Sequence, residues 1–595
     1  MGSPEKYDTV PRHLVTTSDE RTWKFDRPVL FSGEWCRRYD RKELWATMDA
    51  IVAAPYGLGE ENKDKDYAYV TKFSEELLVE LRDVLNDYHK TNRGLRYWRI
   101  VLGHWLHRYV SVIFNRWFAL RQALHYYEIT GTTVLDATSY SLATTDSLSF
   151  IWACNDDVWN HVLYSKILIH FGSIRLESVG NSLGSMSGFT VKNESSIPKG
   201  KKLKRFVQKA DGMLRMLSRD SDAFIVNSYL PKKEEIKLQL TLGQVPQLWR
   251  APALETIKPD RALRKQLTIN ASNHQGFDQF VRTMLMEILP ACYLEGFHAM
   301  CMQVDSLPWP VRPSFIFTSN NFDTNEIFKC WVASKTESGR AYYVGQHGNN
   351  YGTHRYGNPS VEESTADKFL TWGWTDGLPP HTAAFIFKTA GRRPQPHNPK
   401  GGLLLVEACL NNRVSIWDDY VEFEEYFKEQ QAFVESLDPL LRGKLTIRLS
   451  REFKIHDRAE DLRWQAFDRH LKIDKGARRI SGLIGDCRLV VHSYDSTGIL
   501  EGLSQNVPTM AFWRGGLDHV RDSAKPYYQL LIDAGIIYLT PQSAARQINK
   551  TWEDVAGWWE SGDVQSARQI FCDRYARISK NPIGDLKRIL VGTHL

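Results

Sequence analysis

The stretch VVHSYDSTGILEGLSQNVPTMAFW, residues 490–513, decides the fold of the C-terminal part of the chain. An apolar run that ends at Val491 is followed by a polar turn and then by apolar positions at helical spacing. Asn506-Val507-Pro508 introduces a second apolar run. The order strand, turn, helix, strand is the repeating unit of a parallel sheet covered by helices. We therefore predict that the turn lies at the carboxyl edge of a doubly wound α/β sheet.

The same alternation continues upstream of this stretch. The runs GLLLVEACL (402–410) and KLTIRL (444–449) are predicted strands, with a helical pattern over 418–437 between them. A segment with three prolines and three glycines, TAGRRPQPHNPKGG (389–402), is typical of an interdomain linker. We predict a linker over 389–402, a Rossmann-like lobe over 403–577 and a C-terminal tail over 578–595.

The N-terminal part opens with RPVLFSGEWC (27–36), in which a strand and a Gly turn precede a helical pattern. Residues 67–127 are helical in spacing, and strand-like runs return at PSFIFTSN (313–320) and AYYVGQHG (341–348). We predict a Rossmann-like lobe over 1–388, enlarged by a helical insertion. The expected fold is α/β, with two Rossmann-like lobes facing each other across a cleft.

Composition excludes several classes of protein. With 76 Lys+Arg against 70 Asp+Glu, the net charge of +6 over 595 residues is too small for a dedicated nucleic-acid binder. No apolar run approaches the ~18 residues that cross a bilayer, and the eight cysteines include no C-x-x-C pair. We expect a cytoplasmic protein. Its small positive excess also fits peripheral contact with an acidic inner membrane, and the basic cluster at 199–205 is a solvated face or a contact for anionic lipid or glycan.

The turn in the opening stretch carries the first candidate site. Hydroxyls and free N–H groups at the start of a helix, at the carboxyl edge of a parallel sheet, receive phosphate oxygens well. A carboxylate one turn into that helix can accept hydrogen bonds from ribose hydroxyls. The alternative is that the turn only caps the helix and the carboxylate is solvated. The candidate donor-binding residues here are Ser493, Asp495, Ser496, Thr497 and Glu501.

A second candidate lies in YYVGQHGNNYG, where a strand delivers Gln346-His347-Gly348 into a Gly- and Asn-rich loop whose backbone can approach a ligand closely. We predict Gln346 and Gly348 as donor-binding residues. A neutral His347 at a strand end can act as general base on an acceptor hydroxyl, and the alternative is a structural loop histidine. Glu34 follows the first strand and is either functional or a helix cap. Arg448 ends the strand KLTIRL and can pair with a phosphate.

Six segments together resemble a bacterial family of transferases encoded in O-antigen and other surface-polysaccharide regions. The similarity runs from about Leu30 to about Arg577. More distantly, the His-Gly loop and the Asp-Ser-Thr turn resemble those of capsule Kdo transferases and teichoic-acid glycerophosphotransferases, which are metal-independent GT-B enzymes with cytidine-activated donors. The segments are FSGEWC, RYWRIVLGHWL, GQHGNNYG, DKFLTWGW, HSYDSTGILEGLSQNVPTMAFW and RDSAKPYYQLLIDAGI.

The resemblance implies a GT-B-like fold, with the lobe over 1–388 binding the acceptor and the lobe over 403–577 binding the nucleotide donor. It also implies that His347 lines the catalytic cleft, that residues 495–497 hold the donor phosphate, and that Glu501 lies near the ribose. It matches Arg448 to a basic residue after a C-lobe strand, and it implies neither a metal nor a cofactor. The chain departs from the family pattern at Asn349, where the pattern has a second glycine, and at Ser450-Arg451-Glu452, where it has Tyr-Pro-His.

We therefore predict a glycosyltransferase that moves a sugar from a nucleotide-activated donor to a glycan or lipid-linked glycan acceptor of the cell surface. The acceptor is expected around Glu34 and the aromatic segment 97–105, with His347 or Glu34 as base. The alternatives are a polyol-phosphate transferase and a non-catalytic glycan- or nucleotide-binding subunit. An NAD-dependent epimerase is disfavoured because the chain lacks the G-x-G-x-x-G fingerprint.

Overall fold

The structure is a computed structural model, and it describes residues 7–57, 59–179, 183, 188–189, 218–247, 249, 251–267, 269, 271–392, 397–410 and 423–592. The basic cluster predicted at 199–205 lies outside these residues. The described strands form three sheets, and every registered pair of neighbouring strands within them is parallel. Among the described helices, none combines the length and the apolar character needed to cross a bilayer.

The first sheet has the strand order β3-β2-β1-β4-β5. Its strands are β1 (Asp8–Val15), β2 (Val29–Phe31), β3 (Ala50–Val52), β4 (Tyr127–Leu135) and β5 (Leu176–Val179). The predicted insertion is present as two long helices between β3 and β4. The helices of this region are α1 (Lys42–Trp45), α2 (Glu60–His89), α3 (Leu95–Tyr126), α4 (Ser147–Ala153) and α5 (Asp157–Phe171).

The second sheet has the order β10-β9-β8-β7-β6. Its strands are β6 (Phe224–Ile225), β7 (Phe315–Thr318), β8 (Ala341–Gly345), β9 (Lys368–Thr371) and β10 (His381–Ala383). Its helices are α6 (Lys232–Thr241), α7 (Arg261–Gln266), α8 (Gly276–Ile288), α9 (Phe297–Asp305), α10 (Glu326–Glu337) and α11 (Val361–Thr365).

The third sheet has the order β13-β12-β11-β14-β15-β16, which is the strand order of a Rossmann domain, with the reversal between β11 and β14. Its strands are β11 (Gly402–Val406), β12 (Leu445–Arg448), β13 (Lys472–Asp474), β14 (Cys487–His492), β15 (Thr509–Phe512) and β16 (Ile537–Tyr538). The helices are α12 (Phe423–Glu435), α13 (Pro439–Arg442), α14 (Glu460–Phe467), α15 (Ile480–Gly485), α16 (Thr497–Ser504), α17 (Lys525–Asp533), α18 (Pro541–Thr551), α19 (Val555–Glu560), α20 (Gly562–Tyr575) and α21 (Pro582–Val591).

The predicted parallel α/β architecture is confirmed, and the third sheet occupies the predicted donor lobe. The stretch predicted as one acceptor lobe contains two parallel sheets, the first and the second. The predicted strand-like runs at 313–320 and 341–348 are β7 and β8 of the second sheet. The sequence does not show that they form a separate sheet, because its outer strands β6 and β10 have only two and three residues, too few for a visible pattern. The predicted domain boundaries themselves stay predictions.

The C-terminal segment returns to the second sheet. Helix α21, in the segment predicted as a tail, buries Leu586 and Leu590 against a cluster that includes Phe315 and Phe317. Lys368 of β9 donates a hydrogen bond from Nζ to the carbonyl of Ile589 at 2.8 Å. Helix α21 therefore belongs to the core of the second sheet.

The aromatic segment 97–105, predicted to face the acceptor, lies in the core instead. The side chains of Tyr97, Trp98 and Trp105 are all fully buried on α3. This part of the acceptor prediction is wrong. The helix carries apolar side chains around most of its surface, and α2 and α10 pack against it, so its aromatic rings fill the space between helices.

Candidate active site

The loop after β8 and the turn after β14 meet at the junction of the second and third sheets. The Asn349 N–H donates to Thr497 Oγ1 at 2.9 Å, across 148 residues of sequence. The Asn349 side chain donates from Nδ2 to Asp495 Oδ1 at 2.8 Å. Gly348 approaches so closely that a Cβ atom there would lie 3.1 Å from Thr497 Oγ1. The two stretches with the strongest sequence signals therefore form one site.

His347 lies at the end of β8 and is held through one ring nitrogen. The Tyr351 hydroxyl donates its single proton to Glu362 and lies 3.0 Å from His347 Nδ1. With Glu362 ionised and accepting from Tyr351, the hydrogen bond between His347 and the hydroxyl oxygen comes from Nδ1–H, which leaves the lone pair on Nε2. Glu362 is buried and has His104 Nε2 at 3.5 Å from its second oxygen. This chain of side chains fixes the orientation of the imidazole.

Burial lowers the pKa of His347 from 6.5 to about 4, and the positive charge of Lys388 adds to the effect. The rings of Tyr229, Phe322 and Tyr351 surround the imidazole at centroid distances of 6.1, 5.6 and 5.3 Å. The side chain is therefore neutral at pH 7, the form in which it can accept a proton.

Lys388 is a cation beside this imidazole that sequence analysis did not identify. Its Nζ lies 3.1 Å from Glu501 Oε1 and 5.1 Å from the centroid of the Tyr229 ring. Both members of the ion pair keep about a third of their side-chain surface exposed, 30% for Lys388 and 35% for Glu501. The pair therefore joins the second sheet region to α16 while remaining accessible to an anionic ligand.

The other predicted residues of the turn have mixed surroundings. Ser493 is buried, and its Oγ lies 2.7 Å from the Tyr426 hydroxyl. Ser496 is buried as the residue before α16, with Oγ 3.1 Å from His492 Nδ1. Thr497, the first residue of α16, is partly exposed. The accessible groups of the turn are therefore those of Thr497 and the N-terminal end of α16. Ser493 and Ser496 are buried beneath the turn, where their hydroxyls hydrogen-bond to Tyr426 and His492.

Asp495 is enclosed by polar side chains. Its Oδ2 accepts a hydrogen bond from the Tyr528 hydroxyl at 2.8 Å and lies 3.2 Å from His519 Nε2 and 3.7 Å from His354 Nε2. Burial acts to raise the pKa of Asp495, but the two histidines hold it well below its usual range. Asp495, His354 and His519 form the group of potential metal ligands found in the described part of the chain.

Gln346 lies beneath the loop. Its side chain donates to the carbonyl of Gly348 at 2.9 Å and accepts from the Trp372 N–H at 2.8 Å and from Trp374 Nε1 at 2.9 Å. The side chain is buried. The Gln346 side chain therefore supports the His-Gly loop from inside the protein. The sequence predicted instead that Gln346 contacts the donor.

Two predicted residues lie on other elements. Arg448 is buried and forms an ion pair with Asp474, the residue opposite it on β13, and it donates to the carbonyl of Arg478 at 3.0 Å. Glu34 follows β2 of the first sheet and accepts a hydrogen bond on Oε2 from the N–H of Glu424, in the first turn of α12, at 3.1 Å. The structure thus gives Arg448 and Glu34 partners that hold strands and sheets together.

The third sheet also carries a buried acid that the sequence did not single out. Glu407 follows β11, at the strand reversal, and burial raises its pKa to about 8, with Glu460 adding to the effect. Trp464 donates from Nε1 to Glu407 Oε1 at 3.1 Å. Glu407 is therefore a buried, neutral carboxyl at the edge of the third sheet where the strand order reverses.

Comparisons with known proteins place the chain in a family. No curated protein matches it. A candidate UDP-N-acetylglucosamine 2-epimerase from Listeria monocytogenes aligns over 61% of the chain and 100% of its own length at 11% identity and a TM-score of 0.32. A spinosyn rhamnosyltransferase, SpnG, with bound spinosyn aglycone aligns over 62% and 99% at 12% identity and a TM-score of 0.30.

These structural likenesses are weak, so the fold assignment rests on the sheet topology above. The family match is of a different kind, because it follows the sequence through all three sheets and includes both halves of the candidate site. It runs over residues 12–590 and carries the description LIC12162 family transferase. The chain therefore belongs to the LIC12162 family of transferases.

Proposed function

We propose that this transferase is a glycosyltransferase that moves a sugar from a nucleotide-activated donor to a glycan of the cell surface. The observation that carries the proposal is the junction itself. A neutral histidine with a free Nε2 lone pair stands beside an accessible lysine and the N-terminal end of α16. A base next to an anion-binding edge is what transfer from a sugar phosphate to a hydroxyl requires.

The donor would bind at the third sheet, in the crevice at the strand reversal. Its phosphate would receive the N–H groups at the start of α16 and the Lys388 ammonium, while Glu501 would turn from Lys388 to the ribose hydroxyls. The charge on the leaving phosphate is then balanced by side chains and helix N–H groups, so we propose that the transfer step needs no metal. The resemblance to Kdo transferases favours a cytidine nucleotide.

The acceptor hydroxyl would lose its proton to His347 Nε2 as its oxygen attacks the anomeric carbon and the bond from that carbon to the phosphate oxygen breaks. Tyr351 and Glu362 would keep the imidazole oriented while it becomes charged. The acceptor would be a glycan or a lipid-linked glycan, delivered to the cytoplasm or to the inner face of the membrane. A polyol-phosphate transferase would use the same groups but would break the phosphoanhydride.

Two measurements test the proposal. In a thermal-shift panel of CMP, CDP, UDP and GDP, one nucleotide should stabilise the chain, because a ligand that binds the folded state stabilises it by RT ln(1 + [L]/Kd). With that nucleotide's sugar as donor, the product mass should rise by the sugar alone. A rise that includes phosphate would identify the polyol-phosphate reaction, and no response to any nucleotide would indicate a non-catalytic subunit.

A further inference from the structure

His354, Asp495 and His519 bring three ligand atoms together at the junction of the second and third sheets. Their side-chain ligand atoms all lie within 4.8 Å of one another. Asp495 Oδ2 is 3.2 Å from His519 Nε2 and 3.7 Å from His354 Nε2. Four ligands at 2.0–2.1 Å from a tetrahedral Zn²⁺ are separated by about 3.3 Å, so both distances to the carboxylate are close to those of a shared ion.

The backbone holds the two histidines in this arrangement. His354 forms an isolated antiparallel bridge with Val520. The N–H of Arg355 donates to the carbonyl of His519 at 2.8 Å, and the N–H of Arg521 donates to the carbonyl of Thr353 at 2.8 Å. These bonds lie on both sides of the His354–Val520 pair, so the backbone holds His354, in the loop of the second sheet, close to His519, in the segment after β15.

The carboxylate has the surrounding hydrogen bonds that metal-bound carboxylates have. Asn349 donates to Oδ1 and the Tyr528 hydroxyl donates to Oδ2, each at 2.8 Å. The side chains of the three residues are 5–11% exposed. The cluster is therefore enclosed, and Tyr528 covers one side of it.

We propose that His354, Asp495 and His519 bind a divalent transition-metal ion of the zinc class. Two imidazole nitrogens and one carboxylate oxygen form a donor set that suits Zn²⁺ better than Mg²⁺ or Ca²⁺, which take oxygen ligands. The ion would fasten the His-Gly loop to the Asp-Ser-Thr turn and so fix the junction of two sheets. This site is independent of the proposed function, since it needs no donor and removes no proton.

The test uses the full-length chain without a histidine tag, stripped with a chelator and then titrated with ZnCl₂. We expect one equivalent of Zn²⁺ per chain to remain after gel filtration, measured by elemental analysis. Titration with Co²⁺ should give the intense visible absorption of a low-symmetry site with nitrogen ligands. The proposal would be overturned if the chain, after titration with ZnCl₂ and gel filtration, retains less than a tenth of an equivalent of Zn²⁺ and gives no visible band with Co²⁺.

Variants locate the ion. His519→Ala and Asp495→Asn should each weaken binding by about 100-fold or more, whereas His125→Ala, which removes an exposed imidazole at the end of α3, should leave it unchanged. Circular dichroism shows whether each variant folds. If a variant does not fold, the wild-type stoichiometry and the cobalt spectrum still decide. Equal binding by folded His519→Ala and wild type would overturn the assignment.

Discussion

Replacement of Lys388 by alanine should separate its role in binding a donor from any role in stability. The ammonium lies 3.1 Å from Glu501, and both side chains are about one-third exposed. Exposed ion pairs of this kind contribute about 0–1 kcal/mol. We therefore expect Lys388→Ala to change the free energy of unfolding by less than about 1 kcal/mol.

The effect on a bound phosphate should be larger. A hydrogen bond between an ammonium and a phosphate oxygen contributes about 1.5–3 kcal/mol, which corresponds to a factor of about 10–150 in Kd. The affinity for the nucleotide found in the panel should fall by this factor, while the affinity for the matching nucleoside, which has no phosphate, should change little. The pKa of His347, about 4, should rise, because the lysine charge is one cause of its lowering.

Isothermal titration calorimetry measures the affinities, and NMR of the histidine ring protons measures the pKa. Lys90→Ala is the matched control, because Lys90 also forms an exposed ion pair, with Asp87 at 3.1 Å, but lies at the end of α2. Unchanged nucleotide affinity in Lys388→Ala, or an equal loss for nucleotide and nucleoside, would refute the assignment of Lys388 to the phosphate.

Further predictions concern the base, the loop and pH. His347→Gln should lower kcat by about 100-fold or more with the donor Kd retained, and unchanged turnover in a steady-state assay would contradict its role as base. Gly352→Ala should lower the free energy of unfolding by about 2–4 kcal/mol, since Gly352 has φ +70° and a Cβ would lie 2.4 Å from the Trp374 ring. Gly377→Ala is the control, because Gly377 has φ +81° but open space around it, and it should lower the free energy of unfolding by about 1 kcal/mol. Equal urea midpoints for the two variants would exclude the contact with Trp374 as the cause. Because the pKa of His347 is about 4 when folded and 6.5 as the ordinary value, the unfolded chain binds this proton first as pH falls. The free energy of unfolding that the neutral His347 contributes is therefore lost as pH falls from about 6.5 to 4. Between pH 8 and pH 5 the wild type should lose on the order of 2 kcal/mol more of its free energy of unfolding than His347→Gln does. If the urea midpoints of variant and wild type change equally between the two pH values, the imidazole is not buried in its neutral form.

Sequence reasoning found the elements of the site but not the contacts between them. The strand, turn and helix of residues 490–513 follow from hydrophobic spacing, and the structure has them as β14, α16 and β15. The bonds from Asn349 to the turn depend on how two sheets pack across 148 residues, which no local pattern encodes. Lys388 directly precedes the predicted linker and belongs to no motif, so the sequence gives no reason to treat it as more than a solvated lysine.

Arg448 shows why a cation at a strand end is an ambiguous signal. The sequence predicted a phosphate partner because the residue ends a parallel strand. The register of the sheet places Asp474 directly opposite it, at the end of β13, and the two form an ion pair. The identity of the neighbouring strand decides which anion the arginine meets, and β13, with three residues, is too short to be recognised from hydrophobic periodicity.

The choice between His347 and Glu34 as base follows from what each side chain contacts. Glu34 belongs to the first sheet, and its Oε2 accepts a hydrogen bond from the N–H of Glu424, in the first turn of α12, at 3.1 Å, so this oxygen already has a backbone partner. His347 shares its Nδ1 proton with Tyr351, keeps its Nε2 lone pair, and stands beside a lysine that an anionic donor would neutralise. Donor binding would thus remove one cause of the low pKa of His347 and make the imidazole a stronger base once the donor is in place. Under the proposed function, proton transfer at His347 would then be coupled to donor binding, and this coupling favours His347 over Glu34 as the proposed base.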